Sequence, residues 1–115
     1  MRFKEEPTLV LKTEVMNFKE EGVCFSYLPA LDISGYGNNY KEADALLEAV
    51  LKEFIGKAGT KSDLLATLNR MGWKKSKNGV LHAPLMADLI KHSEPIRHIL
   101  EIDFSKKSKI YTFVL

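Results

Sequence analysis

The stretch GVCFSYLPALDISGYGNNYKEADALLEA, from Gly22 to Ala49, decides the fold of this chain. Its first residues predict a strand, because three bulky side chains alternate there with small ones: Val23, Phe25 and Tyr27. Pro29 ends that pattern, since proline has no amide hydrogen to donate to a neighbouring strand. Two glycines in the loop that follows permit a sharp change of direction before a helix.

An amphipathic helix is predicted from Tyr40 to about Lys57. Asn39 suits its N-cap, because the asparagine side-chain oxygen accepts a hydrogen bond from a free amide of the first turn. Glu42 stands three residues later, at the capping-box position. Apolar residues then recur at steps of three and four and predict one buried stripe. They are Ala43, Leu46, Leu47, Val50, Leu51, Phe54 and Ala58.

Further elements are expected on both sides of this stretch. A strand over 8–18 pairs with the strand over 23–27 as an antiparallel hairpin, and a short strand is expected over about 31–35. A second helix begins near residue 60 and ends before Gly72, where a glycine suits the residue after a helix.

The last third of the chain is predicted to be a short helix and a hairpin. Pro84 suits the first position of a helix that runs to about His92. Apolar and polar residues alternate over 96–104, a polar turn follows, and residues 110–115 return. A C-terminal β-hairpin is therefore expected.

A chain of 115 residues is predicted to form one domain, residues 1–115. Within it the strand-loop-helix unit covers about residues 8–58, and a helical and hairpin extension covers about 60–115. This order predicts an α+β fold, in which helices pack on one face of an antiparallel sheet.

The composition limits which partners and which cellular location are expected. A formal net charge of +2 is too small to indicate a polyanionic partner by itself. Cys24 is the only cysteine, which favours a reducing, cytoplasmic location. No segment has the roughly 20 apolar residues of a membrane span, and the first residues lack the apolar core of a secretory signal. No membrane association is expected.

No catalytic residue, metal ligand or cofactor is predicted. His82, His92 and His98 do not form an i,i+4 pair on one helix, as zinc-binding helices do, and their roles are left open. Gly35 and Gly37 lack the third glycine of a phosphate-binding loop. The chain is therefore expected not to be an enzyme.

Two lysine clusters are candidate nucleic-acid contacts. They lie in predicted turns beside Trp73 and Tyr111, and basic loops with aromatic neighbours contact nucleic-acid backbones. Protection of sheet edges is the commoner role of such lysines and is the interpretation we favour. The candidate residues are Lys74, Lys75, Lys77, Lys106, Lys107 and Lys109.

A strand edge is the second candidate site. The strand that carries Val23, Phe25 and Tyr27, or the C-terminal strand, could accept a strand from another chain. Such pairing would give a homodimer or a complex with a different protein. Burial of these residues in the core is the alternative, and the sequence does not separate the two.

The stretch from Gly22 to Ala49 resembles the HicB-like antitoxin family. Pro29-Ala30-Leu31 stands where the family has Pro-x-Leu, and the run from Gly37 to Ala43 stands where it has Gly-Asp-Thr-x-x-Glu-Ala. Glu48-Ala49 matches a later helical Glu-Ala. The resemblance covers about residues 8–55, and Asn38-Asn39 replaces the family's Asp-Thr.

The resemblance implies a partial ribonuclease-H-like unit that binds a small toxin ribonuclease and covers its active site. Many members also carry a C-terminal DNA-binding module and form dimers, but the residues after Gly59 do not match those modules. An antitoxin-type protein that neutralises a toxin ribonuclease is thus the expected function. A nucleic-acid-binding regulator that uses the lysine clusters is the alternative.

Overall fold

The computed structural model describes residues 8–91 and 93–114. In this part of the chain it has six strands and four helices, which confirms the predicted α+β class. The strands are β1 (Thr8–Glu20), β2 (Val23–Leu28), β3 (Ile33–Gly37), β4 (Lys74–Lys75), β5 (Val80–His82) and β6 (Phe104–Val114). The helices are α1 (Tyr40–Lys57), α2 (Lys61–Arg70), α3 (Met86–Ile90) and α4 (Glu94–Leu100).

Strand β1 is the centre of the sheet. Along one edge it pairs with β6 in antiparallel fashion, from Thr8 to Phe18. Its other edge is shared, because β2 pairs antiparallel with Met16–Glu20 and β5 pairs parallel with Val10–Lys12. Strand β3 flanks β2, and β4 flanks β5. Both edges of β1 are therefore occupied.

The sheet is mixed, so the prediction of an antiparallel sheet was wrong for β5. The chain leaves β3, passes through α1 and α2, and returns beside β1 in the same direction. A parallel neighbour requires a long crossover of this kind, whereas a hairpin gives an antiparallel one. The predicted β1–β2 hairpin is confirmed by the pairing of Met16 with Tyr27 and of Glu20 with Val23.

Helices cover both faces of the sheet, which corrects the prediction of helices on one face. Leu9, Leu11 and Val15 of β1 belong to the core that includes buried residues of α1 and α2. Met16 and Phe18 belong to a second core that includes residues of α3 and α4. The alternation of side chains along a strand explains this division, because odd and even residues of β1 point to opposite faces.

The predicted C-terminal hairpin was also wrong. Ser93 caps helix α4 by accepting a hydrogen bond from the amide of Ile96 at 3.3 Å. Ile96 and Ile99 are three residues apart and buried, as on one face of a helix. The expected polar turn over 105–109 is instead the first half of β6, which pairs with β1.

The predicted cap at the start of α1 is confirmed, and a second cap, which was not predicted, is present at the start of α2. The Asn39 side chain accepts a hydrogen bond from the amide of Glu42 at 2.8 Å, and the Glu42 carboxylate accepts one from the amide of Asn38 at 2.8 Å. At the start of α2, Thr60 and Asp63 form a reciprocal capping box. Helix α1 occupies the residues that its apolar stripe predicted.

A glycine allows α1 to approach the sheet closely. A Cβ added to Gly35 would overlap the backbone of α1 at Ala43 and Leu47. We expect Gly35→Ala to lower the free energy of unfolding by about 1–3 kcal/mol, because the helix must move away from β3. Urea denaturation of the purified protein measures this change.

Gly56 provides the matched control for this substitution. It lies in α1, and an added Cβ meets nothing within 4 Å. Gly56→Ala should stabilise the protein by up to about 1 kcal/mol, because alanine loses less backbone entropy than glycine in a helix. Equal destabilisation by both substitutions would contradict the packing described for α1 on β3.

Candidate partner-binding surface

The outer edge of β6 is the longest open edge of the sheet among the described residues. β6 has eleven residues and pairs only with β1 in the part of the chain that is described. Ile110 and Val114 are 62 % and 65 % exposed on this strand. Unpaired backbone groups together with exposed apolar side chains are the features that allow a second chain to add a strand.

The strand edge predicted at Val23, Phe25 and Tyr27 is not available, which corrects that prediction. These residues lie in β2, between β1 and β3, so the backbone on both sides of β2 is paired. Phe25 stacks on Phe18 with ring centroids 5.2 Å apart. These contacts place the three side chains in the sheet rather than at a free edge.

Tyr27 is held in place by its hydroxyl group. It is buried and donates a hydrogen bond to Asp32 at 2.6 Å. Burial and the nearby Asp32 carboxylate raise the pKa of this phenol far above its ordinary value. Tyr27 therefore stays neutral at physiological pH and acts as a hydrogen-bond donor inside the fold.

The three lysines of β6 are engaged within the protein. Lys107 pairs with Asp44 of α1, and Lys106 pairs with Glu14 of β1 at 3.6 Å. The Lys109 ammonium lies 5.3 Å from the centre of the Tyr111 ring, at the distance of a cation–π contact. These contacts leave less free positive charge on β6 than the sequence suggests.

The lysines near β4 are exposed and differ in orientation. Lys74, Lys75 and Lys77 form no ion pair with any described carboxylate. Lys74 lies opposite His82 of β5, whereas Lys75 lies opposite Leu81 and thus points to the other face. Strand alternation therefore splits this cluster as it splits the lysines of β6.

The aromatic residues expected to assist nucleic-acid contact are buried, which corrects that part of the prediction. Trp73 is 1 % exposed and Tyr111 is 3 % exposed, and both belong to the core beneath α1 and α2. Base stacking requires an accessible ring face. Burial, with the charges of Asp44 and Glu48, also raises the pKa of Tyr111 to about 12.

A polar cluster between α1 and the sheet was not predicted. Asp44 accepts hydrogen bonds from the Ser26 hydroxyl and from the Asn17 amide, the latter at 3.2 Å, and it also pairs with Lys107. Asn17 in turn donates to Ser26 at 2.6 Å. Four elements, β1, β2, α1 and β6, thus meet at one carboxylate.

Burial raises the pKa of Asp44, but Lys107 and the hydrogen bonds from Ser26 and Asn17 outweigh it, so the net shift is downward. The charged form is therefore favoured in the fold. The sequence held one indirect signal, since an aspartate at position 44 falls between the buried residues Ala43 and Leu47 of α1.

The histidines lie apart from one another in the described part of the chain. His98 contacts Glu20 with 2.5 Å between Nε2 and Oε1, and both side chains are partly exposed. His82 is half-buried on β5. His92 lies outside the described residues. Within residues 8–91 and 93–114, no three His, Cys, Asp or Glu side chains come together as a metal site.

None of the helices described is both long enough and apolar enough to cross a membrane. Comparisons with protein-family models, with curated proteins and with solved structures found no match to this chain. The HicB-like resemblance of residues 8–55 therefore stays a prediction from the residues themselves, as does the ribonuclease-H-like assignment.

The Asp44 cluster predicts how stability depends on pH. Because the folded pKa of Asp44 is lowered, its stabilisation is present above the unfolded pKa, which is about 3.9, and is lost as the pH falls through the folded value. We expect Asp44→Asn to weaken this acid dependence. It should also destabilise the protein by about 1–3 kcal/mol at pH 7, because Lys107 loses its partner. Urea denaturation at several pH values measures both effects.

Glu53→Gln is the matched control. Glu53 pairs with Lys57 at 3.0 Å on the exposed face of α1, where both side chains are more than half exposed. Its loss should change stability by less than about 0.5 kcal/mol. If the two substitutions behave alike, the half-buried cluster does not tie α1 to β6.

Proposed function

We propose that this chain binds a protein partner by strand addition at the outer edge of β6. The main observation in support of this proposal is the open edge of β6, on which Ile110 and Val114 are exposed. Exposed apolar strand surface favours strand addition over simple burial. The opposite edge of β6 is bound to β1 over eleven residue pairs, so the strand offers a firmly held template.

The partner in this proposal is a small toxin ribonuclease, whose active site the chain covers. The support is the HicB-like residue pattern from Gly22 to Ala49, a stretch that contains β2, β3 and the first part of α1. Blockade of an active site requires a binding surface and no catalytic groups. The proposed role is accordingly that of a non-enzymatic antitoxin.

The charge of β6 favours a different protein, rather than a second copy of this chain, as the partner at its edge. The run from Ser105 to Lys109 carries three lysines and no carboxylate. Lys106 and Lys107 pair with carboxylates of the same chain, but Lys109 has no carboxylate partner among the described residues. Two copies paired around this run would bring their Lys109 side chains close together, and like charges on neighbouring strands are destabilising. An incoming strand with carboxylates would relieve this repulsion.

A nucleic-acid-binding regulator is the second candidate. The observation that favours it is the exposed group Lys74, Lys75 and Lys77, which has no carboxylate partner among the described residues. If these lysines bind nucleic acid, the affinity should fall steeply with added salt. The double substitution Lys74→Gln and Lys75→Gln should also weaken binding. Fluorescence anisotropy with a labelled DNA or RNA oligonucleotide measures it, and flat salt dependence would reject this candidate.

The first candidate predicts that a charge placed on the β6 edge blocks the partner. Ile110→Asp should weaken binding at least about tenfold, because an aspartate would lose water in an apolar contact. The side chain is 62 % exposed, so the fold should tolerate the change. The measurement is co-purification with the product of the adjacent gene, followed by titration of the isolated pair and an assay of RNA cleavage.

Tyr36→Asp is the matched control at another open edge of the sheet, that of β3. Tyr36 lies in β3 and is also 62 % exposed. It should leave partner binding and protection of RNA unchanged. A stronger effect at Tyr36 than at Ile110 would move the interface to β3. The absence of a small basic ribonuclease among the co-purified proteins and adjacent gene products would overturn the antitoxin proposal.

A further inference from the structure

The strand registers place two lysines and a histidine in one row across the sheet. Lys74 of β4 lies opposite His82 of β5, and His82 lies opposite Lys12 of β1. Residues directly opposite one another on paired strands point to the same face of the sheet. Lys12 is more than sixty residues from Lys74 and His82 in the sequence, so only the sheet brings it beside them. We name these three residues the cationic row, after the two lysines.

An apolar row lies beside the cationic row. Val80 of β5 lies opposite Val10 of β1, and Val10 lies opposite Thr112 of β6. Ile110 and Val114 flank Thr112 on the same face of β6. The two rows are two residues apart along β1, which is about 6.6 Å.

These rows form a sheet surface that no described helix covers. Helices α1 and α2 pack on the opposite face, over Leu9 and Leu11. Helices α3 and α4 pack on the same face, but over Met16 and Phe18 near the other end of β1. We name the uncovered surface, from the cationic row to Val114, the bare face.

A cleft of about 410 Å³ adjoins the bare face. Strands β1, β5 and β6 contribute to it, and so does the segment that leads into α3. Leu85 is 72 % exposed on its rim. The lining includes Lys12, His82, Pro84, Leu85, Met86 and Lys106. The cleft is large enough to receive an apolar side chain from a partner.

The charges at this surface are unbalanced. Glu14 of the cleft pairs with Lys106 at 3.6 Å, and Asp88 of α3 pairs with Lys91 at 3.9 Å. Lys12 and Lys74 have no carboxylate partner among the described residues. The complementary surface is therefore apolar with carboxylates beside it.

This composition favours a protein segment over other occupants. The apolar residues of the bare face are aliphatic, so they offer no ring on which a nucleobase could stack. A second copy of this chain would place its own cationic row near this one.

We infer that the bare face and its cleft bind an acidic amphipathic segment of a protein partner. Its apolar side chains lie on the row of Val10 and Val80, and its carboxylates meet Lys12 and Lys74. The inference rests on the proposed function only in requiring a protein partner, and it does not require that partner to be a ribonuclease.

Site-specific photo-crosslinking in the cells that produce the protein tests this inference. The full chain carries p-benzoylphenylalanine at Leu85 or at Thr112, and at Glu48 of α1 as a control on the opposite side. Mass spectrometry identifies each crosslinked peptide. We expect protein adducts from Leu85 and Thr112 on a peptide with alternating apolar and acidic residues, and none of these from Glu48.

Charge reversal supplies the decisive comparison. Lys12→Glu with Lys74→Glu should reduce the adduct at least about tenfold, because carboxylates would then meet carboxylates. Lys41→Glu, at the exposed start of α1, should leave the yield unchanged. Absence of an adduct, an adduct with nucleic acid or with a second copy, or insensitivity to charge reversal would each overturn the inference.

The crosslinks also separate this inference from the proposed function. A toxin that co-purifies and depends on Ile110 but gives no crosslink from Leu85 would leave the strand-addition proposal standing and end this one. A crosslinked acidic partner that has no ribonuclease activity would support this inference and overturn the antitoxin proposal.

Discussion

The whole architecture depends on the hydrogen bonding of β1 along both of its edges. One edge is covered by β6 from Thr8 to Phe18, and the other is divided between β2 and β5. Backbone polar groups buried without partners are costly, so a central strand of this length must be paired on both sides. This requirement draws the two ends of the described chain together and leaves β6 at the margin with its outer edge open.

The Asp44 cluster ties this marginal strand to the rest of the fold. Asp44 lies on α1, Lys107 lies on β6, and Ser26 and Asn17 come from the paired strands β2 and β1. An edge strand that loses such a contact is free to twist or fray. The cluster therefore links the helix predicted most clearly by the sequence to the strand on which the proposed binding depends.

Much of the first half could be predicted from local signals. Asn39, Glu42 and the apolar stripe of α1 act within a few residues of one another, and so do Thr60 and Asp63. The C-terminal third could not be predicted in the same way, because Ile96 fits both a strand alternation and a helical spacing. The choice is made by contacts with Met16 and Phe18, which lie about eighty residues earlier. The cationic row of Lys74, His82 and Lys12 could not be predicted either, because the pairing registers of β4, β5 and β1 align these residues. Lysine clusters that looked continuous in the sequence were divided by strand alternation.

Amide hydrogen exchange, resolved by residue, tests the position of β6 most directly. We expect alternation along β6 in the free protein, with protected amides that point toward β1 and fast-exchanging amides that point away from it. Partner binding should then protect the second set. Fast exchange at every β6 amide would show that the strand is not held by β1. Protection of every amide in the free protein would show that the outer edge is already covered. Either result would contradict the placement of β6 as an edge strand that is paired with β1 on one side only.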